Sequence, residues 1–242
     1  MALLEVEGLY KSFGGVTAIV NLSFAVDAGL VYGVIGPNGA GKTTLFNMLS
    51  GIYRVDEGVI RFKKKPITHL PPNLIAAAGI SRTFQNLQIF FNMSVHENVL
   101  VGCHLRTASG LLEALLRLPR VRREERLVHL WADAALDFCG LSAYRNEPAD
   151  ALPYGVLKRL EIARALAVEP QLLMMDEPAA GLNDTESAEM IALIKRIRDR
   201  GITVLLVEHN MNLVMSVSDR LLVLDYGSYL AEGRCEEIQN NP

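Results

Sequence analysis

The chain has 242 residues, half of them hydrophobic, which suits one large domain or two small ones with a sizeable core. The net charge of −3 gives no sign of a nucleic-acid-binding protein, and the three cysteines lie far apart without metal-ligand spacing. No apolar run approaches the ~20 residues that span a bilayer, and the N-terminus lacks the basic and apolar regions of a signal peptide. We therefore expect any role at a membrane to act through a partner.

The first elements are two strands, predicted over residues 3–9 and 20–26, where apolar side chains alternate with polar or small ones. Between them lies a turn that contains Tyr10 and Phe13. An aromatic ring there could stack on a purine base, and the chain has no N-K-x-D motif of the kind that recognises guanine. On composition alone, Phe13 could equally be a small core residue.

The most informative stretch is Gly36-Pro37-Asn38-Gly39-Ala40-Gly41-Lys42-Thr43, which fills every fixed position of the phosphate-loop motif G-x-x-x-x-G-K-[ST]. An apolar run over residues 30–35 precedes it, and helical spacing follows it. Glycines let successive backbone N–H groups turn towards phosphate oxygens, and the helix N-terminus adds positive partial charge. Lys42 is predicted to reach the outer phosphates, and the Thr43 hydroxyl to bind Mg²⁺. The motif predicts a nucleoside triphosphate site.

The middle of the chain is predicted to be helical. The stretch Leu87–Val95 is unusually apolar for a connection, and it forms either the core of a small helical lobe or a groove for a partner. Residues 96–139 have a helical pattern with a break at Pro119. Five arginines predict a solvated helix face, with contact to anionic lipid headgroups as the alternative: Arg117, Arg120, Arg122, Arg123 and Arg126.

Two later strands are predicted to place metal-binding and catalytic side chains beside the phosphate loop. An apolar strand over residues 171–175 leads into Asp176 and Glu177. The first carboxylate can hold the Mg²⁺ shell, and the second can orient or deprotonate an attacking water. Another buried strand, over residues 202–207, is followed closely by His209. Because open α/β folds bind ligands at the carboxyl edge of their parallel strands, His209 is predicted to lie at the γ-phosphate.

Taken together, these motifs resemble the ATP-binding subunit of an ABC transporter over nearly the whole chain. The phosphate loop, Gln85 at the end of Arg82-Thr83-Phe84-Gln85, the carboxylate pair and His209 follow the family's order and spacing. The resemblance implies an α/β domain of the ABC type, with a RecA-like, mostly parallel sheet core, an antiparallel β subdomain and a helical subdomain. Within one domain of residues 1–242, the core and β subdomain would take about 1–86 and 161–242, and the helical subdomain about 87–160.

The resemblance also implies a role for each site residue. The catalytic residues would be Glu177, His209 and Gln85, and Gln85 would also couple the site to a transmembrane partner. The Mg²⁺ ligands would be Thr43, Gln85 and Asp176. Phe13 would stack on adenine. The ATP-binding set would comprise Phe13, Gly36, Pro37, Asn38, Gly39, Ala40, Gly41, Lys42, Thr43 and Thr44.

A narrower resemblance is to the LivG-type subunit of branched-chain amino acid importers. It rests on Leu152-Pro153-Tyr154-Gly155, on Ala179-Ala180-Gly181-Leu182-Asn183, and on Ile89-Phe90 after Gln85. It implies a cytoplasmic ATPase at the inner face of the cell membrane, with transmembrane permease subunits, a second, unlike ATP-binding subunit and a substrate-binding protein. A homodimer is the alternative assembly. Uptake of urea or amides, lipopolysaccharide export, and a non-transport ABC ATPase are the alternative functions.

Two departures from the family pattern concern the part of the ATP site that one subunit contributes to the ATP of its partner. Where the family has LSGGQ, this chain has Leu152-Pro153-Tyr154-Gly155-Val156, and Pro153 offers neither a hydroxyl nor an N–H to the γ-phosphate. Where a loop after the carboxylates usually ends in Asp, this chain has Asn183. In the family, each ATP lies between one chain's phosphate loop and the other chain's LSGGQ. Losing one preorganised donor typically costs ~100- to 1000-fold in rate, so the two sites of a heterodimer should be unequal.

Overall fold

The computed structural model of the protein describes residues 2–107 and 119–240. The chain forms two compact units: Met1–Gln85 with Gln171–Pro242 makes unit 1, and Asn86–Pro170 makes unit 2. The helix Tyr154–Leu166 packs with the other helices of unit 2.

The larger sheet of unit 1 is mostly parallel. In spatial order its strands are β10 (Ser228–Gly233), β9 (Arg220–Asp225), β3 (Val31–Ile35), β8 (Thr203–Val207), β7 (Leu172–Asp176) and β6 (Ile80–Arg82). Only β10 runs antiparallel to its neighbour among these described strands. Every residue of β7 and β8 is buried, which explains why both strands are apolar runs rather than alternating ones.

The smaller sheet of unit 1 is antiparallel. Its spatial order is β2 (Val16–Asp27), β1 (Ala2–Phe13), β4 (Glu57–Phe62) and β5 (Lys65–Pro66). The first two strands are longer than predicted, because their ladder continues to the pair Phe13 and Val16. The predicted turn from Tyr10 onwards is therefore mostly strand, and the chain reverses at Gly14-Gly15.

The helices of unit 1 connect these strands. They are α1 (Lys42–Leu49), α2 (Pro72–Ala78), α6 (Asp184–Asp199), α7 (Met211–Val217) and α8 (Cys235–Gln239). The predicted α/β class is confirmed, with a mostly parallel sheet, a separate antiparallel sheet and a helical unit. Within the two described ranges, no helix is both long and apolar enough to cross a membrane.

Unit 2 contains α3 (Val95–Gly102), α4 (Pro119–Phe138) and α5 (Tyr154–Leu166), with short 3₁₀ turns. The apolar stretch before α3 is divided: Ile89 is buried, whereas Phe90 and Phe91 are 42% and 46% exposed. Arg117 of the predicted arginine cluster and the side chain of Arg120 lie outside the described residues. The residues that immediately precede the predicted break at Pro119 also lie outside them. The other arginines of the cluster, Arg122, Arg123 and Arg126, are exposed.

Candidate functional site

The phosphate loop joins the end of β3 to the start of α1. Its backbone has φ angles of 153° at Gly36 and 96° at Gly41. A β-carbon at Gly36 would lie 2.1 Å from the carbonyl oxygen of Leu224, and one at Gly41 would lie 2.6 Å from that of Ala18. Both positions therefore need glycine for space as well as for conformation.

The loop presents free backbone donors. Several of its N–H groups make no hydrogen bond to any described residue: those of Gly39, Gly41, Lys42, Thr43 and Thr44. The buried Lys42 ammonium donates to the carbonyl oxygens of Gly36 (2.7 Å) and Pro37 (2.9 Å). Burial lowers the pKa of Lys42, and the nearby Glu177 and Asp176 carboxylates oppose that shift. Unpaired N–H groups around a lysine form a site for phosphate oxygens.

A cavity of about 260 Å³ opens over this loop. Its wall is formed by the loop from Asn38 to Thr44, by residues 16–18 of β2, and by the side chains of Glu177 and His209. Two of the three predicted catalytic residues, Glu177 and His209, thus line the same cavity as the phosphate loop. All of these residues belong to unit 1.

The two carboxylates at the end of β7 have different surroundings. Asp176 is the last residue of the strand and is 2% exposed. Glu177 follows in a left-handed conformation with φ of 49°, and its N–H donates to the carbonyl oxygen of Val207 (2.9 Å). Positive φ is uncommon for a residue with a β-carbon and is often found at functional positions.

The three residues predicted to be catalytic lie together. His209 Nε2 is 3.1 Å from Glu177 Oε1, and Gln85 Nε2 donates to Glu177 Oε2 at 3.1 Å. Glu177 is therefore held from two sides, by residues that follow β8 and β6. An exposed imidazole and an amide around one carboxylate can orient a water molecule and respond to a bound phosphate.

Glu208 lies at the candidate site, although only its neighbour His209 was predicted there. It is 4% exposed, and its carboxylate accepts hydrogen bonds from the N–H groups of Ala179 (2.8 Å), His209 (2.8 Å) and Asn210 (3.2 Å). It joins the loop after Glu177 to the loop that carries His209. The signal in the sequence was a carboxylate at the end of an apolar strand, the same signal that identified Asp176.

Arg82, the first residue of the Arg82-Thr83-Phe84-Gln85 motif, connects several segments of unit 1. Its guanidinium donates to Asp176 Oδ2 (2.9 Å), Asn47 Oδ1 (2.7 Å) and Ser50 Oγ (2.9 Å). It also lies over the ring of Phe84, 4.8 Å from the ring centroid. The side chain is 6% exposed, so these bonds replace water around a buried charge.

Phe13 lies at the end of β1 and is 44% exposed, so it is not a core residue. The Phe13 ring packs against the Tyr53 ring in a T-shaped arrangement, with centroids 5.2 Å apart, and the Lys11 ammonium lies 5.1 Å from the Phe13 centroid. Lys11 is itself held by Asp56 at 2.6 Å. Phe13 is not part of the cavity wall described above. Its exposed ring is nevertheless able to take a flat apolar partner.

The residues that depart from the family pattern differ in their local surroundings. Asn183 caps the start of α6: its Oδ1 accepts the N–H of Glu186 (2.9 Å), and Glu186 returns a bond to the N–H of Asn183 (3.0 Å). Pro153 occupies the cap position of α5 and makes no side-chain bond there. Val156 is buried, whereas Tyr154 is 44% exposed.

The residues present fit a magnesium ion that is bound together with a nucleotide. In the described part of the chain, no group of three or more His, Cys, Asp or Glu side chains is placed to hold a metal alone. Mg²⁺ at phosphate sites usually takes one or two protein ligands, with phosphate oxygens and waters completing the shell. Asp176 Oδ1 accepts no hydrogen bond from a described residue, and Thr43 stands at the start of α1. This sparse oxygen donor set suits Mg²⁺.

Comparison with known proteins agrees with this geometry. A family model described as ABC transporter matches residues 19–180. The chain is 44% identical to the high-affinity branched-chain amino acid transport ATP-binding protein BraF of Pseudomonas aeruginosa, over 99% of this chain and 94% of that protein. It is 43% identical to the high-affinity branched-chain amino acid transport ATP-binding protein LivG of Escherichia coli, over 99% of this chain and 94% of that protein.

More distant relatives and solved structures give the same picture. The chain is 38% identical to the probable branched-chain amino acid transport ATP-binding protein LivG of Archaeoglobus fulgidus, over 100% of this chain and 93% of that protein. Crystal structures of an ATP-binding cassette from an ABC transporter, nucleotide-free and in an ADP conformation, match with TM-scores of 0.86 and 36% identity. Each match covers 99% of this chain and 94% of the other.

Proposed function

This chain belongs to the ABC transporter family as an ATP-binding subunit that hydrolyses ATP for transport, and on that premise we propose that it powers the uptake of branched-chain amino acids. The assignment of the cargo rests on the 44% identity to BraF over 99% of the chain. The observation that carries the chemistry is the meeting of Glu177, His209 and Gln85 beside the phosphate loop.

In the proposed reaction, the free N–H groups of the phosphate loop and the Lys42 ammonium hold the phosphates of ATP. Thr43, Asp176 and Gln85 would hold Mg²⁺, which would supply positive charge to the phosphate oxygens when bound. Glu177 orients the attacking water and takes its proton, while His209 contacts the γ-phosphate. Phe13 stacks on the adenine. The unpaired donors of the loop and the two-sided support of Glu177 favour these assignments.

The proposed assembly pairs this chain with a second ATP-binding subunit. Each ATP then lies between the phosphate loop of one subunit and the helix that starts at the Pro153 position of the other. Pro153 offers no side-chain donor at the start of α5. This chain therefore contributes only weak contacts to the ATP that is bound at its partner's phosphate loop. This chain's own phosphate loop stands beside an intact Glu177. A heterodimer with unequal sites follows, and the isolated chain should hydrolyse ATP slowly.

The proposed membrane partner is a pair of permease subunits. The supporting observation in unit 2 is the exposure of Phe90 and Phe91 within an apolar stretch. Such exposed aromatic side chains favour a contact with another protein. In this arrangement the chain works at the cytoplasmic face of the membrane, bound to the permease.

Transport assays test the cargo. Cells that lack this subunit should lose uptake of labelled leucine, and the wild-type chain should restore it. Urea and short amides serve as the rival cargoes, since the ATPase itself touches none of them. Loss of urea or amide uptake with leucine uptake intact would overturn the branched-chain assignment and leave the ATPase assignment untouched.

A further inference from the structure

The Arg82 guanidinium connects three elements around the proposed magnesium site. It comes from the end of β6, and one of its amino groups donates to Asp176 Oδ2 (2.9 Å) at the end of β7. The other amino group donates to Asn47 Oδ1 (2.7 Å) and Ser50 Oγ (2.9 Å) at the last turn of α1. Asp176 and Arg82 are both nearly inaccessible, with side chains 3% and 6% exposed. The ion pair is therefore poorly screened by solvent.

Asn47, which Arg82 contacts on α1, lies on the same helix as Thr43, a second proposed magnesium ligand. Asn47 lies four residues after Thr43, and residues at this spacing share one face of a helix. Arg82 thus ties one oxygen of Asp176 to the helix face that carries Thr43 one turn earlier. Among the described residues, no donor reaches the other oxygen, Oδ1.

We propose that Arg82 is a positioning residue for Mg²⁺: it fixes Asp176 against α1, so that Asp176 and Thr43 present their oxygens together. This inference rests on the proposed function, in which both residues hold the ion. A metal ligand whose second oxygen is held by a fixed donor loses less freedom on binding, and outer-shell partners of this kind typically change metal affinity ~10- to 100-fold.

Arginine suits this task better than lysine. Its planar fork reaches acceptors on two elements at once, and the rings of Phe46 and Phe84 lie 5.5 Å and 4.8 Å from its central carbon. A lysine would keep the charge, but its single ammonium group cannot hold Asp176 and Asn47 in the same fixed geometry. The substitution Arg82→Lys therefore separates positioning from charge.

The test measures metal-dependent nucleotide binding rather than turnover. The full-length chain is titrated with adenylyl imidodiphosphate, a non-hydrolysable ATP analogue, once in EDTA and once in MgCl₂. The Kd in EDTA divided by the Kd in MgCl₂ gives the factor by which Mg²⁺ strengthens nucleotide binding. We expect Arg82→Lys to reduce this ratio about tenfold and to leave the Kd in EDTA unchanged. The matched control is Arg61→Lys, which alters a surface ion pair with Glu7 (2.7 Å) in the same unit and should change neither value.

A second variant keeps the test decisive if Arg82→Lys does not fold. Asn47→Ala removes one anchor on α1, leaves the bond to Asp176 in place, and should lower the ratio by a smaller factor. An unchanged ratio in both folded variants, or in Asn47→Ala when it alone folds, would overturn the inference. Equal weakening in EDTA and in MgCl₂ would show a merely structural role and would also overturn it. Absence of nucleotide binding by the wild-type chain would instead refute the proposed function.

Discussion

Glu177 Oε1 and His209 Nε2 lie 3.1 Å apart, although the two residues follow different strands of the sheet. The contact depends on the parallel pairing of β7 with β8, in which Asp176 lies opposite Val207. It also depends on the positive φ of 49° at Glu177, since an extended conformation there would continue the direction of the strand. Such a conformation costs about 1–3 kcal/mol in general, and the surrounding bonds must offset that cost.

Lys42 should be required for nucleotide binding. Lys42→Ala removes the ammonium group that stands beside the free N–H groups of the loop, so we expect ATP affinity to fall below detection. Isothermal titration of the full-length chain with ATP measures this directly. The control is Lys65→Ala, which changes an exposed lysine of β5. Wild-type affinity in Lys42→Ala would refute the assignment of the phosphate loop.

Glu208 should affect both stability and turnover. Glu208→Gln replaces a buried acceptor of three N–H groups with an amide, which can serve fewer of them, so the free energy of unfolding should fall by about 1–3 kcal/mol. Because the bonds orient the loop that carries His209, the kcat for ATP hydrolysis should fall more than ATP affinity. Chemical denaturation and ATPase assays check these effects, with the exposed Glu57→Gln as the control. A stable, fully active Glu208→Gln would contradict this role.

The sequence predicted the parts of the site that depend on local motifs. The phosphate loop and the strand ending in Asp176 and Glu177 have short, contiguous patterns, and their strand context was visible as apolar runs. Arg82 was missed because its bonds to Asp176 and Asn47 join segments far apart in the chain. Glu208 was missed although it follows an apolar strand, because its bond to Ala179 reaches a distant segment. Only the order of strands in the sheet brings those segments together.

The lengths of β1 and β2 were also underestimated. Tyr10 and Lys11 looked like part of a turn because aromatic and polar residues stand beside two glycines. The antiparallel ladder nevertheless continues through Lys11 to Phe13, which is a cooperative property of the sheet rather than of the local sequence.

Phe91 should contribute to permease binding rather than to the core of unit 2. It is 46% exposed, so Phe91→Asp should leave ATP affinity and the unfolding temperature close to those of the wild-type chain. Co-purification with the permease subunits should be lost, because a charge would replace an apolar contact. Leu130→Asp changes a residue of α4 that is 62% exposed and serves as the control. Unfolding of Phe91→Asp would show that the residue belongs to the core.

His96 should make unit 2 sensitive to acid. Its side chain is buried, with Nε2 3.1 Å from Arg145 and 3.3 Å from Asp133, and its ring stacks on His129. Burial, and then the Arg145 guanidinium, lower the pKa of His96 below its ordinary 6.5, against the opposing charge of Asp133. The unfolded chain therefore binds a proton that the folded chain does not, once the pH falls below about 6.5.

The free energy of unfolding should consequently fall as the pH is lowered through and below that value. His96→Gln should flatten this dependence between about pH 7 and pH 5, because it removes the titrating group. Denaturant unfolding at several pH values measures the slope. His69→Gln alters an exposed histidine of unit 1 and should retain the wild-type slope. The same slope in His96→Gln would contradict the assignment.

We propose that Glu177, beside this chain's own phosphate loop, is the main catalytic residue for ATP hydrolysis. The most direct test is the ATPase rate of the complex reconstituted with its permease and partner ATP-binding subunit, comparing the wild type with Glu177→Gln. Pro153→Ala is the companion variant, since it removes no side-chain donor. We expect Glu177→Gln to lower the rate about 100-fold or more with ATP binding retained, and Pro153→Ala to stay near the wild-type rate. Wild-type turnover in Glu177→Gln, or an equal loss in Pro153→Ala, would contradict the proposed roles of these two residues.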